Sequence, residues 1–162
     1  MKTLLIMRHA KSSWKDSSLS DHDRPLSGRG EADAPQMGAA LTERDLVPDR
    51  IVSSTAERAQ RTARLVAENC PFDGEITLDR NLYHAGLDEF LETLQALPAD
   101  MDCVMLVGHN PGVAELVDFL TDSPEMMTTA NIAVVQLPVN RWAEVDIETE
   151  GVLVEVLRPK EV

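Results

Sequence analysis

Cysteine is scarce in this chain of 162 residues: there are two, Cys70 and Cys103, far apart, which argues against a disulfide scaffold and against a cysteine-rich zinc site. Long hydrophobic runs are missing too. The longest, Thr3 to Met7 and Cys103 to Val107, are strand-sized and too short to span a bilayer. Met1-Lys2 leads straight into the first of them with no signal-peptide cleavage pattern, so a soluble cytoplasmic domain is the expectation. Basic residues are few, 15 Lys and Arg against 28 Asp and Glu, for a net charge of −13. A field of that sign repels nucleic acid and anionic membrane, and neither is an expected partner. What is present, 43% hydrophobic and 27% charged residues, is an ordinary globular mixture sized for one domain over residues 1–162.

The charge is unevenly placed. Residues 1–64 carry 11 basic and 9 acidic side chains, whereas residues 65–162 carry 4 and 19. Eight of the eleven arginines fall in the first part. Guanidinium forks suit oxyanions, so an anion site is expected there.

The hydrophobic pattern alternates strand and helix. Thr3–Met7 reads as a buried first strand and residues 8–27 as a long polar loop. A helix follows from about Ser27 to Arg44, with Ala32, Met37, Ala40 and Leu41 inward and Pro35 predicting a kink or a late start. Ile51–Ser53 is a second strand, followed by a helix over 56–69 that Ser54 or Thr55 can cap. Glu75–Leu78 is a third strand, 87–97 a helix, Cys103–Val107 a fourth strand, and a helix runs from Gly112 to about Leu120. Asn131–Leu137 and Val152–Leu157 close the chain as strands, with Ala143–Ile147 pairing between them. This predicts a three-layer α/β/α sandwich whose central sheet is mainly parallel with an antiparallel edge.

Three polar segments each follow a predicted strand: Arg8-His9-Ala10, Ser53-Ser54-Thr55-Ala56-Glu57-Arg58, and Gly108-His109-Asn110-Pro111-Gly112. In a parallel sheet the strand carboxyl ends share one rim, so two histidines and two arginines are expected in one crevice. Zinc does not suit them, because no ligand pair has helical or strand spacing. Acid–base chemistry on carbon leaves the arginines without a task. Phosphoryl chemistry uses all four: guanidinium forks hold the oxygens, one imidazole attacks phosphorus, and the other donates to the equatorial oxygens. Backbone N–H groups after Pro111 add further donors.

Together with Asp23-Arg24-Pro25-Leu26-Ser27, Gly28, Gly30 and the Met127–Ala133 segment, these motifs resemble the histidine phosphatase superfamily. The short length is similar to its phosphohistidine phosphatase (SixA-type) branch. The resemblance implies a phosphoglycerate mutase-like fold, His9 as nucleophile, Arg8 and Arg58 as phosphate arginines, His109 as the second, phosphate-binding histidine, Arg24 as a further phosphate-facing arginine, and Asn110 as a phosphate-binding residue. It implies no cofactor and no metal. The superfamily usually writes its first motif Arg-His-Gly, and Ala10 stands at the glycine here, which a negative φ tolerates. Larger members place a carboxylic acid after the third strand, where this chain has Leu82-Tyr83-His84. His84 can serve as general acid, Asp88 or Glu89 can reach in from the next helix, or no acid is needed. An imidazole leaving group, with a pKa of roughly 6.5, departs without much help.

The expected function is metal-independent hydrolysis through a phosphohistidine enzyme intermediate, with a phosphorylated protein as substrate. The alternatives are a small-molecule phosphomonoesterase acting on a phosphorylated metabolite and a non-catalytic phosphate- or phosphoprotein-binding module. Trp14 and Lys15 either cover the substrate or pack the loop, and His22 is expected to be an exposed loop residue. Met126-Met127 serve as lid or core, and Cys103 is inert.

Overall fold

In the computed structural model, which describes all of Met1–Val162, the run Leu4-Leu5-Ile6-Met7 is completely buried within β1 (Lys2–Arg8). Such a run is stable in a strand only if both faces of the sheet are covered. Four strand–helix units supply the cover: β1 with α1 (Gly28–Glu43), β2 (Arg50–Ser53) with α2 (Glu57–Glu68), β3 (Glu75–Leu78) with α3 (Leu87–Gln95), and β4 (Cys103–Gly108) with α4 (Gly112–Thr121). Two further strands, β5 (Ile132–Leu137) and β6 (Val152–Leu157), complete one sheet of six in the order β3-β2-β4-β1-β5-β6. Strands β3, β2, β4 and β1 run parallel to one another, β5 is antiparallel to β1, and β6 is antiparallel to β5.

Side-chain alternation sorts the core into two layers. Leu4, Ile6, Val104 and Leu106 pack with Phe90, Leu94, Val113 and Leu116 of α3 and α4, and Leu5, Met7, Met105 and Val107 pack with Met37, Leu41, Ala59 and Ala63 of α1 and α2. Full burial of each Leu, Ile or Met is worth about 1.5–3 kcal/mol, so the central strands are the most strongly held part of the molecule.

Local differences from the sequence reading have simple causes. Helix α1 starts at Gly28, capped by the Ser27 hydroxyl, which accepts from the Gly30 N–H at 3.2 Å, and it continues unbroken through Pro35. The Glu31 carbonyl, which Pro35 leaves without a donor, belongs to an exposed residue and can be met by water. Ala34, not Ala32, faces the core. The N-cap of α2 is Ala56, without a side-chain cap, so neither Ser54 nor Thr55 takes that role. Ala143–Ile147 does not form a strand. A 3-10 turn, Trp142–Glu144, stands there instead, because Trp142 and Val145 bury on one side at a spacing of three while Trp142 Nε1 donates to the Met101 carbonyl at 2.7 Å. No helix is long and apolar enough to cross a membrane.

Candidate active site

Strand register brings the chemical residues together. Arg8 pairs with Gly108 and Ser53 with Val107, so the residues that follow, His9, His109 and Ser54, leave three adjacent strands at one rim. The His9 N–H donates to the Gly108 carbonyl and the Ser54 N–H to the Val107 carbonyl, each at 3.0 Å, which prolongs the ladder one residue past the strands. The two imidazoles stand 5.0 Å apart, centroid to centroid. Arg58 enters from the first turn of α2. With Arg8, Lys11, Ser12, Trp14, Asp21, Arg24, His84, Asn110 and Thr129, the two histidines and Arg58 line a pocket of about 490 Å³ in which Trp14 is the one apolar wall.

His9 is held as a nucleophile would be. A carbonyl oxygen can only accept, so the 2.7 Å contact of Nδ1 with the Ala10 carbonyl puts the ring hydrogen on Nδ1 and leaves the Nε2 lone pair free. Burial, and then the charges of Arg58, Arg8 and Arg24, push its pKa down to about 4 despite the opposing pull of that carbonyl. Ala10 is fully buried at negative φ, and its N–H donates to Thr62 Oγ1 at 3.0 Å, so the methyl fits the turn. The loop between β5 and α4 closes the site from the other side. Its Ala130, at φ 64°, donates its N–H to both the Arg8 and His9 carbonyls at 3.1 Å. Holding a non-glycine residue in that conformation costs about 1–2 kcal/mol, offset here by two carbonyls satisfied at the base of the site.

The arginines are ordered before any ligand arrives. Arg58 donates through Nη1 to the Asp21 carbonyl at 2.5 Å and through Nη2 to the Asp21 carboxylate at 2.9 Å. Arg24 donates to the other carboxylate oxygen at 2.9 Å, to Ser12 Oγ, and to the Ser13 carbonyl at 3.2 Å. The Tyr83 hydroxyl donates to Asp21 at 2.6 Å, and that bond, with the two guanidinium bonds, holds the Asp21 carboxyl well below the usual carboxylate range. Asp21 is therefore a positioning anion and not a proton donor. Trp14, 72% exposed, lies over the Arg24 guanidinium at 3.3 Å, so it both covers that arginine and stands at the pocket mouth. Arg8 donates from Nη1 to the Met127 carbonyl at 3.2 Å, leaving Nε buried without a partner, and Asn110 Nδ2 donates to the same carbonyl at 2.8 Å. The Asn110 side-chain amide is thus committed to backbone on one side, and its Oδ1 accepts from the Ala114 N–H at 3.3 Å on the other.

The remaining sequence candidates divide. His84 is exposed at φ 61° on the pocket wall, its ring 4.0 Å from Tyr83 and 6.5 Å from His109. Asp88 and Glu89 do not line the pocket, and the Glu89 carboxylate accepts from the Gly86 N–H at 3.2 Å at the start of α3. His22, expected to be exposed, is half-buried, with Nε2 2.9 Å from Thr55 Oγ1 and its ring edge-on to Tyr83. Met127 is core and Met126 is exposed. Burial pushes the Cys103 thiol up to about 12, which makes it inert. No three His, Cys, Asp or Glu side chains converge as metal ligands. Sequence reading missed Asp21, Tyr83 and the bonding of Ser54. Asp21 is bonded to Arg58 across 37 residues and to Tyr83 across 62, and spacing gives no signal at that range.

Burial of two neutral imidazoles sets a pH dependence. His109 lies lower still, at about 3, because of burial and then the charges of His9, Arg58 and His84. Unfolded imidazoles take up protons below roughly 6.5, whereas these two stay neutral until near pH 4. The unfolded chain therefore binds more protons in that window, and stability falls as pH falls from about 6.5 to 4. A pKa moved from 6.5 to about 4 corresponds to a loss of roughly 3 kcal/mol for His9 across the window. Urea midpoints of the ligand-free protein should accordingly drop less for His9→Asn than for wild type between pH 6.5 and 4.5. Equal slopes would show that His9 is not held neutral by the fold.

The comparisons with known proteins agree with this geometry. Residues 4–90 match the model of the histidine phosphatase superfamily, branch 1. A chloroplastic protein of Arabidopsis thaliana is 34% identical over 152 residues, covering 88% of this chain and 70% of that one. The SixA structure from Nakamurella multipartitia superposes with a TM-score of 0.83 at 28% identity, over 98% of this chain and 96% of that one. The protein histidine phosphatase SixA complexed with tungstate, an oxyanion, gives a TM-score of 0.83 at 25% identity, over 98% and 97% of the two chains. Fold, motif order and family match coincide: this chain belongs to the histidine phosphatase superfamily, in its short SixA-type branch.

Proposed function

We propose that the protein hydrolyses phosphohistidine on a protein substrate, without a metal, by way of a phosphorylated His9. The observation that carries this reading is His9 itself, a neutral imidazole with a free Nε2 lone pair ringed by Arg8, Arg24 and Arg58. The Nε2 lone pair attacks phosphorus while the bond from phosphorus to the substrate imidazole breaks. The substrate ring, protonated on its other nitrogen, keeps that electron pair and departs as neutral imidazole. A water oxygen then forms a bond to phosphorus, the bond to Nε2 breaks, and inorganic phosphate and a proton are released. The arginines hold the transferred oxygens in both steps, and His109 donates to them. Two features favour an imidazole leaving group: no carboxylic acid stands ready to protonate a more basic one, and the pocket opens beside an exposed Trp14 able to meet a planar ring.

His84 on the pocket wall supports a second reading, a phosphomonoesterase for small phosphorylated metabolites in which His84 protonates the leaving alkoxide. Leaving-group basicity separates the two. Turnover of a phosphohistidine protein, an aryl phosphate and an alkyl phosphate would be measured with a chelator present, for wild type and for His84→Gln. The first reading predicts rapid phosphohistidine turnover that His84→Gln leaves unchanged, with poor alkyl phosphate turnover. Good alkyl turnover that falls about a hundredfold in His84→Gln would establish the second. Phosphate binding with no turnover of any substrate would mean a non-catalytic phosphate-binding module.

A further inference from the structure

His109 faces the pocket with one ring nitrogen bonded and the other alone. Its Nε2 lies 2.8 Å from Ser54 Oγ, and its Nδ1 is buried with no partner in the protein. Ser54 is itself completely buried, and its Oγ also accepts from the Ala56 N–H at 3.2 Å. A hydroxyl has a single hydrogen, and once buried that hydrogen needs an acceptor. The acceptor beside Ser54 is His109 Nε2. Were Nε2 to carry the proton instead, the Ser54 hydrogen would point at nothing, and a bare Nδ1 lone pair would also stand without a donor.

We propose that Ser54 is a positioning residue which fixes His109 in the Nδ1–H tautomer, so that the histidine presents a neutral N–H to the phosphoryl oxygens. The inference deepens the reading given above and rests on it only for the identity of the group that His109 contacts. His9 and His109 then carry their hydrogen on the same ring nitrogen yet show the pocket opposite faces. In His9 the Ala10 carbonyl uses the N–H and frees a lone pair for attack. In His109 the Ser54 hydroxyl uses the lone pair and frees an N–H for donation. One acceptor from the backbone and one donor from the residue after β2 are enough to divide the labour between two identical side chains 5.0 Å apart.

The tautomer is read directly by long-range 1H–15N correlation on protein with 15N-labelled histidine, in phosphate-free buffer at pH 7. Wild-type His109 should show a protonated, pyrrole-type Nδ1 and a pyridine-type Nε2. In Ser54→Ala that pattern should give way to the other tautomer or to a mixture. The kcat for an aryl phosphate should fall roughly ten- to a hundredfold with a smaller change in KM, and Ser54→Thr, which keeps the hydroxyl, should recover most of it. A wild-type His109 protonated on Nε2 overturns the proposal whether or not Ser54→Ala folds. So does a Ser54→Ala protein that keeps both the wild-type tautomer and the wild-type kcat. The resonance measurement needs no turnover, so a wrong substrate assignment leaves it intact.

Discussion

His9→Ala should lose turnover by about 10⁴-fold or more and form no acid-labile phosphoenzyme, the largest effect expected from any single substitution in this protein. No other side chain can take its place. His109 has its Nε2 engaged by Ser54, His84 stands out on the wall, and the thiol of Cys103 belongs to the far end of β4. The alanine removes an imidazole held by one short bond to its own neighbour's carbonyl, at the rim beyond the strand end, and the fold should persist. Rapid quenching of wild type with a labelled aryl phosphate, followed by mapping of the phosphorylated peptide, places the label. Label recovered on His109 would reverse the two roles.

The second large effect is expected at Arg58. Arg58→Lys keeps the charge but gives up the planar fork that binds the Asp21 carbonyl and carboxylate together, and a lone ammonium cannot hold Asp21 and also face a phosphoryl group in a fixed direction. The expected fall in kcat/KM is about 10²- to 10³-fold. A modest loss of stability should accompany it, on the order of 1–3 kcal/mol, since Asp21 keeps Arg24 and Tyr83 but loses its nearest buried partner. Steady-state kinetics with one aryl phosphate, paired with a denaturation midpoint, measures both. Unchanged kinetics would remove Arg58 from contact with substrate.

Much of this was legible in the sequence, for identifiable reasons. Strands such as Thr3–Met7 and Cys103–Val107 are short, apolar and bounded by polar punctuation, and the helices between them carry their apolar residues at helical spacing. Strand-helix alternation then forces Arg8-His9, Ser54 and Gly108-His109 onto one rim. The tail was harder. Ala143–Ile147 alternates like a strand over a few residues, but the anchor of that segment is Trp142, whose burial follows a spacing of three. The polar scaffold of the site was not legible at all. Asp21 meets Arg58 across 37 residues and Tyr83 across 62, and Ser54 meets His109 across 55. Each of these bonds depends on the direction in which a loop doubles back, which no local pattern encodes. The missing carboxylic acid after β3 was visible as an absence, whereas the role of Asp21 as a fixed anion became visible only through its partners.

The division of the pocket between strand ends and loops carries an evolutionary consequence. His9 and Ser54 are bonded into the backbone ladder of the central strands and His109 directly follows β4, while Trp14, Asp21, Arg24, His84 and Thr129 stand on the loops around them. A lineage can therefore lengthen, shorten or rewrite the rim, and with it the range of molecules admitted, while the reaction at the base is inherited unchanged. Drift in the loops explores new substrates, and drift in the strand ends is lethal to catalysis. Descendants of such a protein should diverge first in what they accept and last in what they do.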